Sequence, residues 1–142
     1  MSEESLNPEI AKMLKEMESI FKHHNVDFYI VGAIARDIQL SSIPRLRAIR
    51  GTRDVDLAIY LSNEEQFYQV KESLLATGLF KEHKTEPIKL YYNNSIEVDL
   101  LPFGAIENEQ RETHINKPRV FVIDMPGFQE AYSTITPIRL AV

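Results

Sequence analysis

Asp54 and Asp56 stand one residue apart at the start of the run DVDLAIYL, and Glu97 and Asp99 repeat the same spacing in IEVDLLP. Residues two apart on a β-strand project from one face, so each segment offers a side-by-side pair of carboxylates. A carboxylate at the edge of an apolar strand is costly unless it ends in water or holds a cation. If the two strands are neighbours in one sheet, Asp54, Asp56 and Asp99 converge. Carboxylates with no histidine or thiolate among them suit a hard, oxygen-preferring ion such as Mg2+, which keeps waters and recruits phosphate oxygens. That arrangement serves phosphoryl or nucleotidyl transfer, in which cations neutralise charge on the attacked phosphorus; two ions about 3.5 to 4 Å apart also activate the attacking oxygen. The plainer reading of either acidic pair is a solvated strand end. Glu97 shares the face of Asp99 and stands beside it or in its place.

A second chemical element lies upstream in YIVGAIARD. Gly32 lets backbone approach a phosphate closely, and the helix that follows offers its N-terminal amides and positive dipole end to an anion. Arg36, one turn into that helix, is placed to pair with phosphate oxygens. A lone glycine before a helix is ordinarily just a turn, so the order of the elements carries more information than any one of them.

The elements that must position these groups can be read from periodicity. Residues 7 to 24 form an amphipathic helix: Asn7 caps it, Pro8 suits the first position, and Ile10, Met13, Leu14, Met17, Ile20 and Phe21 make the buried stripe. VDFYIVG, Gly32 and AIARDIQL give a strand, a tight turn and a helix, and SSIPRLRAIRG is a basic loop with Arg45, Arg47 and Arg50. From Asp54 to Leu61, Val55, Leu57, Ile59 and Leu61 line one face of a strand, and Asp54, Asp56, Ala58 and Tyr60 line the other. Ser62 and Glu65 match a capping box, opening a helix with Phe67, Val70, Leu74 and Leu75 inward and a stop at Gly78. PIKLYY and SIEVDLLPF, joined at Asn93-Asn94, spell a hairpin. GAIENEQRETHINKP is polar and aperiodic and reads as an exposed loop; RVFVID is a strand, GFQEAYS two helical turns, and TPIRLAV a last short strand. His23, His24, His83 and His114 read as solvated side chains, and Tyr91 and Tyr92 as packing against the sheet or lining a base-stacking wall. The expected fold class is α/β (α+β), a mixed β-sheet flanked by helices in a single domain over 1–142.

Composition narrows the class further. The chain has 142 residues, 44% hydrophobic and 26% charged, within the globular range. A net charge of -5 argues against coating nucleic acid by bulk electrostatics. With no cysteine, disulfides, thiolate metal sites and cysteine nucleophiles are excluded, and a reducing, cytoplasmic setting is expected. MSEESLNPEI does not read as a signal peptide, and no apolar run approaches the roughly 20 residues needed to span a bilayer, so neither a leader nor a membrane partner is expected.

Taken in order, VGAIARD, RGTRDVDLAI and IEVDLLPFG resemble the nucleotidyltransferase superfamily of the polymerase-β type. The likeness covers roughly residues 26 to 135. Within it, DLLPFGAIE and GFQEAY are similar to the abortive-infection toxin type, and Arg36-Asp37 to the CCA-adding and poly(A) polymerase branch. The resemblance implies that Asp54 and Asp56 hold Mg2+, with two ions expected, together with the phosphates of an NTP. It implies that Asp99 completes the catalytic and metal-binding set and helps deprotonate an acceptor hydroxyl. Gly32, Ala33, Arg36, Thr52 and Arg53 would handle the triphosphate, with Ala33 where the family has a second glycine or serine. The implied reaction moves a nucleoside monophosphate to a hydroxyl of an RNA such as tRNA, a protein or a small molecule, releasing pyrophosphate. A helical C-terminal region is usual in the family and is expected to be absent here, which leaves a minimal module, a truncation, or a chain completed by a partner or a second copy. The alternatives are a nucleotide-binding module without turnover and the toxin of a two-protein system.

Overall fold

The computed structural model describes residues 8–31, 54–117 and 119–134. It opens with α1 (Pro8–His23), which buries Ile10, Met13, Leu14, Met17 and Phe21 along one stripe. The helix ends where Asn25 takes the left-handed conformation, φ 59°. There the Val26 amide donates to the Phe21 carbonyl at 2.8 Å and the Asn25 amide to Lys22 at 3.1 Å, which satisfies carbonyls the helix would otherwise orphan.

A five-stranded mixed sheet follows, built from β1 (Phe28–Ile30), β2 (Asp54–Tyr60), β3 (Phe80–Glu82), β4 (Lys89–Tyr92) and β5 (Ile96–Phe103) in the order β1-β2-β5-β4-β3. β2 and β5 run parallel, and the other pairs are antiparallel. Parallel neighbours need a long crossover, and α2 (Glu64–Ala76) lies within it. The alternation expected for β2 is present: Val55, Leu57 and Ile59 are buried, while Asp54, Asp56 and Tyr60 are exposed. Leu90, Tyr92, Ile96, Val98 and Leu100 continue that apolar face, which shares one core with the α1 stripe and with Phe67, Val70 and Leu74 of α2. Tyr92 is therefore a core residue, and Tyr91 lies on the opposite face.

The opposite face is divided. Around Ala58 and Phe103 it packs against Met125, Phe128 and Tyr132, contributed by α3 (Phe128–Thr134) and the turn before it. Tyr29 donates its hydroxyl to the Phe128 carbonyl at 3.2 Å, and burial raises that hydroxyl's pKa to about 12. At the other end of the same face lie the acidic residues of β2 and β5.

Three local expectations need correction. The capping residue of α2 is Asn63, one later than Ser62: its side chain accepts from the Gln66 amide at 2.8 Å, and Gln66 Oε1 accepts from the Ser62 amide at 2.8 Å. Glu65 takes no part in that exchange. The supposed loop 104–118 contains a strand, β6 (Glu112–Ile115), which pairs with β7 (Phe121–Asp124) in a separate two-stranded sheet. Thr113 is fully buried and donates its hydroxyl to the Pro102 carbonyl at 2.8 Å, so this segment is anchored to β5. β3, absent from the sequence reading, extends the sheet beyond β4. The expected helix AIARDIQL, the basic loop and the strand TPIRLAV lie outside the described residues.

Candidate functional site

The register of the β2–β5 pair sets the site. Asp54 stands opposite Glu97 and Asp56 opposite Asp99. Register partners of a parallel pair share a face and sit on strands about 4.8 Å apart. The condition on which convergence of Asp54, Asp56 and Asp99 depended, that their strands be neighbours, is met.

The hairpin supplies a cation that the sequence reading did not single out. Asn93 and Asn94 both adopt left-handed φ, 56° and 55°, and the Ser95 amide donates to the Tyr92 carbonyl at 2.9 Å. With Ser95 included in the loop, Lys89 comes opposite Asp99 and Tyr91 opposite Glu97. Lys89 Nζ donates to Asp99 Oδ1 at 2.9 Å and to Glu97 Oε1 at 3.3 Å. Partial burial would lower the pKa of this ammonium, but the hydrogen bond and charge of Asp99, followed by those of Glu97, outweigh it and push Lys89 well above the usual lysine range.

Asp56 shows the opposite electrostatics. Desolvation raises its carboxyl above the ordinary aspartate value, and the negative charges of Asp99 and Asp54 add to the effect against the opposing pull of Lys89. A carboxylate pressed by two like charges is stabilised by an added cation. The donor set of Asp54, Asp56 and Asp99, all oxygen, fits a hard divalent ion on that ground. Among the described residues no group of three or more histidine, cysteine, aspartate or glutamate side chains is arranged so that it could hold a metal ion by itself, as a closed cage would. Mg2+ bound through one or two carboxylates, waters and phosphate oxygens requires no such cage.

The remaining sequence-expected groups separate into two sets. Gly32, Ala33, Arg36, Thr52 and Arg53, assigned to the triphosphate, lie outside the described residues. The histidines are described, and two of them, His24 and His83, expected to be solvated, are instead half-buried and hydrogen-bonded. His24 Nε2 lies 2.8 Å from Ser73 Oγ and ties the end of α1 to α2. His83 Nδ1 accepts the amides of Thr85 at 3.1 Å and Glu86 at 3.0 Å, and its ring stacks on Tyr91 with centroids 5.8 Å apart. His23 and His114 are exposed, as expected. No helix among the described residues is long and apolar enough to cross a membrane.

Comparison of the chain with family models, with curated proteins and with solved structures finds no match.

Proposed function

We propose that the protein is a Mg2+-dependent nucleotidyltransferase that moves a nucleoside monophosphate from an NTP to an acceptor hydroxyl and releases pyrophosphate. The observation that carries this reading is the register of Asp56 against Asp99 on parallel strands, with Asp54 two residues along the same face. When bound, Mg2+ would supply charge neutralisation at the transferred phosphoryl group. Asp54 and Asp56 would hold the ion together with the triphosphate, and Asp99 would complete the set. In the transfer the acceptor oxygen bonds to the α-phosphorus, the bond to the bridging oxygen breaks, and pyrophosphate leaves. The hydroxyl proton passes to a carboxylate oxygen of Asp99. Assignment of Gly32, Ala33, Arg36, Thr52 and Arg53 to the triphosphate rests on the sequence resemblance alone. The strand order β1-β2-β5-β4-β3 is read as the nucleotidyltransferase fold, and the cysteine-free chain as cytoplasmic. The acceptor is an RNA, a protein or a small molecule.

Calorimetry of NTP binding, with and without Mg2+, tests the proposal on the native chain and on Asp56→Asn. Mg2+-dependent binding that the substitution abolishes is the expected result; equal binding in all four titrations would refute it.

The ion pair between Lys89 and Asp99 favours a second reading, in which the site binds nucleotide without turnover because its third carboxylate is already neutralised. Pyrophosphate release in the presence of candidate acceptors decides between them: release excludes the second reading.

A further inference from the structure

We propose that Lys89 is a built-in counter-cation for Asp99: it occupies that carboxylate in the metal-free protein, shifts wholly onto Glu97 when a divalent ion takes Asp99, and thereby weakens the hold of the free protein on a bare ion. The inference rests on the nucleotidyltransferase reading of the same carboxylates.

Asp99 lies between two strands that both make a claim on it. From β4, Lys89 is its antiparallel register partner and reaches it at 2.9 Å. From β2, Asp56 is its parallel register partner. A cation shared by Asp56 and Asp99 would therefore approach the carboxylate that already carries the ammonium, and like charges so close repel each other strongly at a partly buried site. The side chains of Lys89 and Asp99 are only 17% and 25% exposed, so solvent screens their pairing less than that of a fully exposed pair.

Glu97 makes the exchange inexpensive. Lys89 Nζ is already 3.3 Å from Glu97 Oε1, so release from Asp99 forfeits one of two charge-assisted contacts rather than both. Glu97, 41% exposed, then acts as a berth for the lysine and not as a ligand of the ion. The lysine penalises a bare cation more than a cation carried by a polyphosphate, whose negative charge offsets the ammonium. Metal and nucleotide would then enter the site together.

The test is Mn2+ binding to the full chain without nucleotide, followed by electron paramagnetic resonance of the free ion. Removing the positive charge with Lys89→Met should tighten binding about tenfold, and Lys89→Gln should act likewise. Glu97→Gln, which confines Lys89 to Asp99, should weaken binding by roughly threefold or more. The double variant Lys89→Met with Glu97→Gln should return to the affinity of Lys89→Met alone, because without the lysine Glu97 has nothing to hold. Unchanged or weaker binding in both lysine variants overturns the inference, as does an additive loss in the double variant, which would make Glu97 a ligand. Circular dichroism establishes that each variant folds, and Lys89→Gln or Glu97→Gln serves if Lys89→Met does not. Wild-type Mn2+ binding that Asp56→Asn abolishes but that ignores Lys89 overturns this inference alone and leaves the nucleotidyltransferase reading standing. Absence of binding in wild type and lysine variants alike overturns this inference, and the nucleotidyltransferase reading then stands or falls on the calorimetry with NTP and Mg2+.

Discussion

Asp56 of β2 and Asp99 of β5 are register partners on parallel strands, and the charge of Asp99 raises the carboxyl pKa of Asp56. With both carboxylates charged at neutral pH, that arrangement costs stability. Asp56→Asn removes a like charge and keeps the side-chain shape, so it should raise the melting temperature at neutral pH by about 1 to 2 °C after allowance for solvent screening. Thermal unfolding followed by circular dichroism reads the shift; a lower melting temperature would mean that Asp56 is a net stabilising residue.

Gly104 follows β5 at φ +109°, where a Cβ would come within 2.7 Å of Tyr60 Cδ1 and 3.0 Å of the Leu61 carbonyl oxygen. Gly104→Ala should destabilise the fold by more than about 1 kcal/mol, from backbone strain and from displacement of the Tyr60 ring off Phe103 and Tyr132. Urea denaturation at equilibrium gives the number, and a neutral substitution would show that this turn rearranges freely.

The start of α2 depends on Asn63, whose side chain accepts the Gln66 amide. Asn63→Ala should cost about 1 kcal/mol of stability, whereas Ser62→Ala, which leaves that bond intact, should stay within about 0.5 kcal/mol. The same urea titration ranks the two variants; equal losses would place the cap elsewhere.

Glu64 fastens α2 to the end of β6. It accepts the Tyr68 hydroxyl and the Asn116 amide, the latter at 3.0 Å, and these bonds, Tyr68 first, hold its carboxyl below the ordinary glutamate value. A depressed folded-state pKa contributes stability that is present above the unfolded-state value and is lost as pH falls through the folded-state value. The stability deficit of Glu64→Gln should therefore be larger at about pH 7 than at about pH 3. A deficit independent of pH would show that the charge of Glu64 contributes nothing.

The parts of the fold legible in the sequence are those in which one face is apolar throughout. α1, β2 and β5 announce themselves by periods of three-and-four or two, and the alternation in β2 already places Asp54 and Asp56 on a common face. β6 escapes because its inward residues are Thr113 and Ile115, only one of them apolar, set between Glu112 and His114. β3 has a single buried residue, Phe80, too little for a pattern. The cap of α2 is displaced by one position because Ser62 and Asn63 are both competent caps, and geometry alone chooses between them. Lys89 is the instructive omission. A two-residue Asn93-Asn94 loop would set it opposite Val98, on the core face, and only inclusion of Ser95 brings it opposite Asp99. A one-residue change of register thus decides whether the acidic site contains a lysine, and turn length is not written in the strand pattern.

Diffraction from crystals of the protein with Mn2+ and a non-hydrolysable NTP, measured at the manganese edge, tests the central claim most directly. An anomalous peak within coordination distance of both Asp56 and Asp99, on the face they share with Asp54 and next to the nucleotide phosphates, is the result expected. A nucleotide bound elsewhere, or a bound nucleotide with no manganese between those two carboxylates, would contradict it.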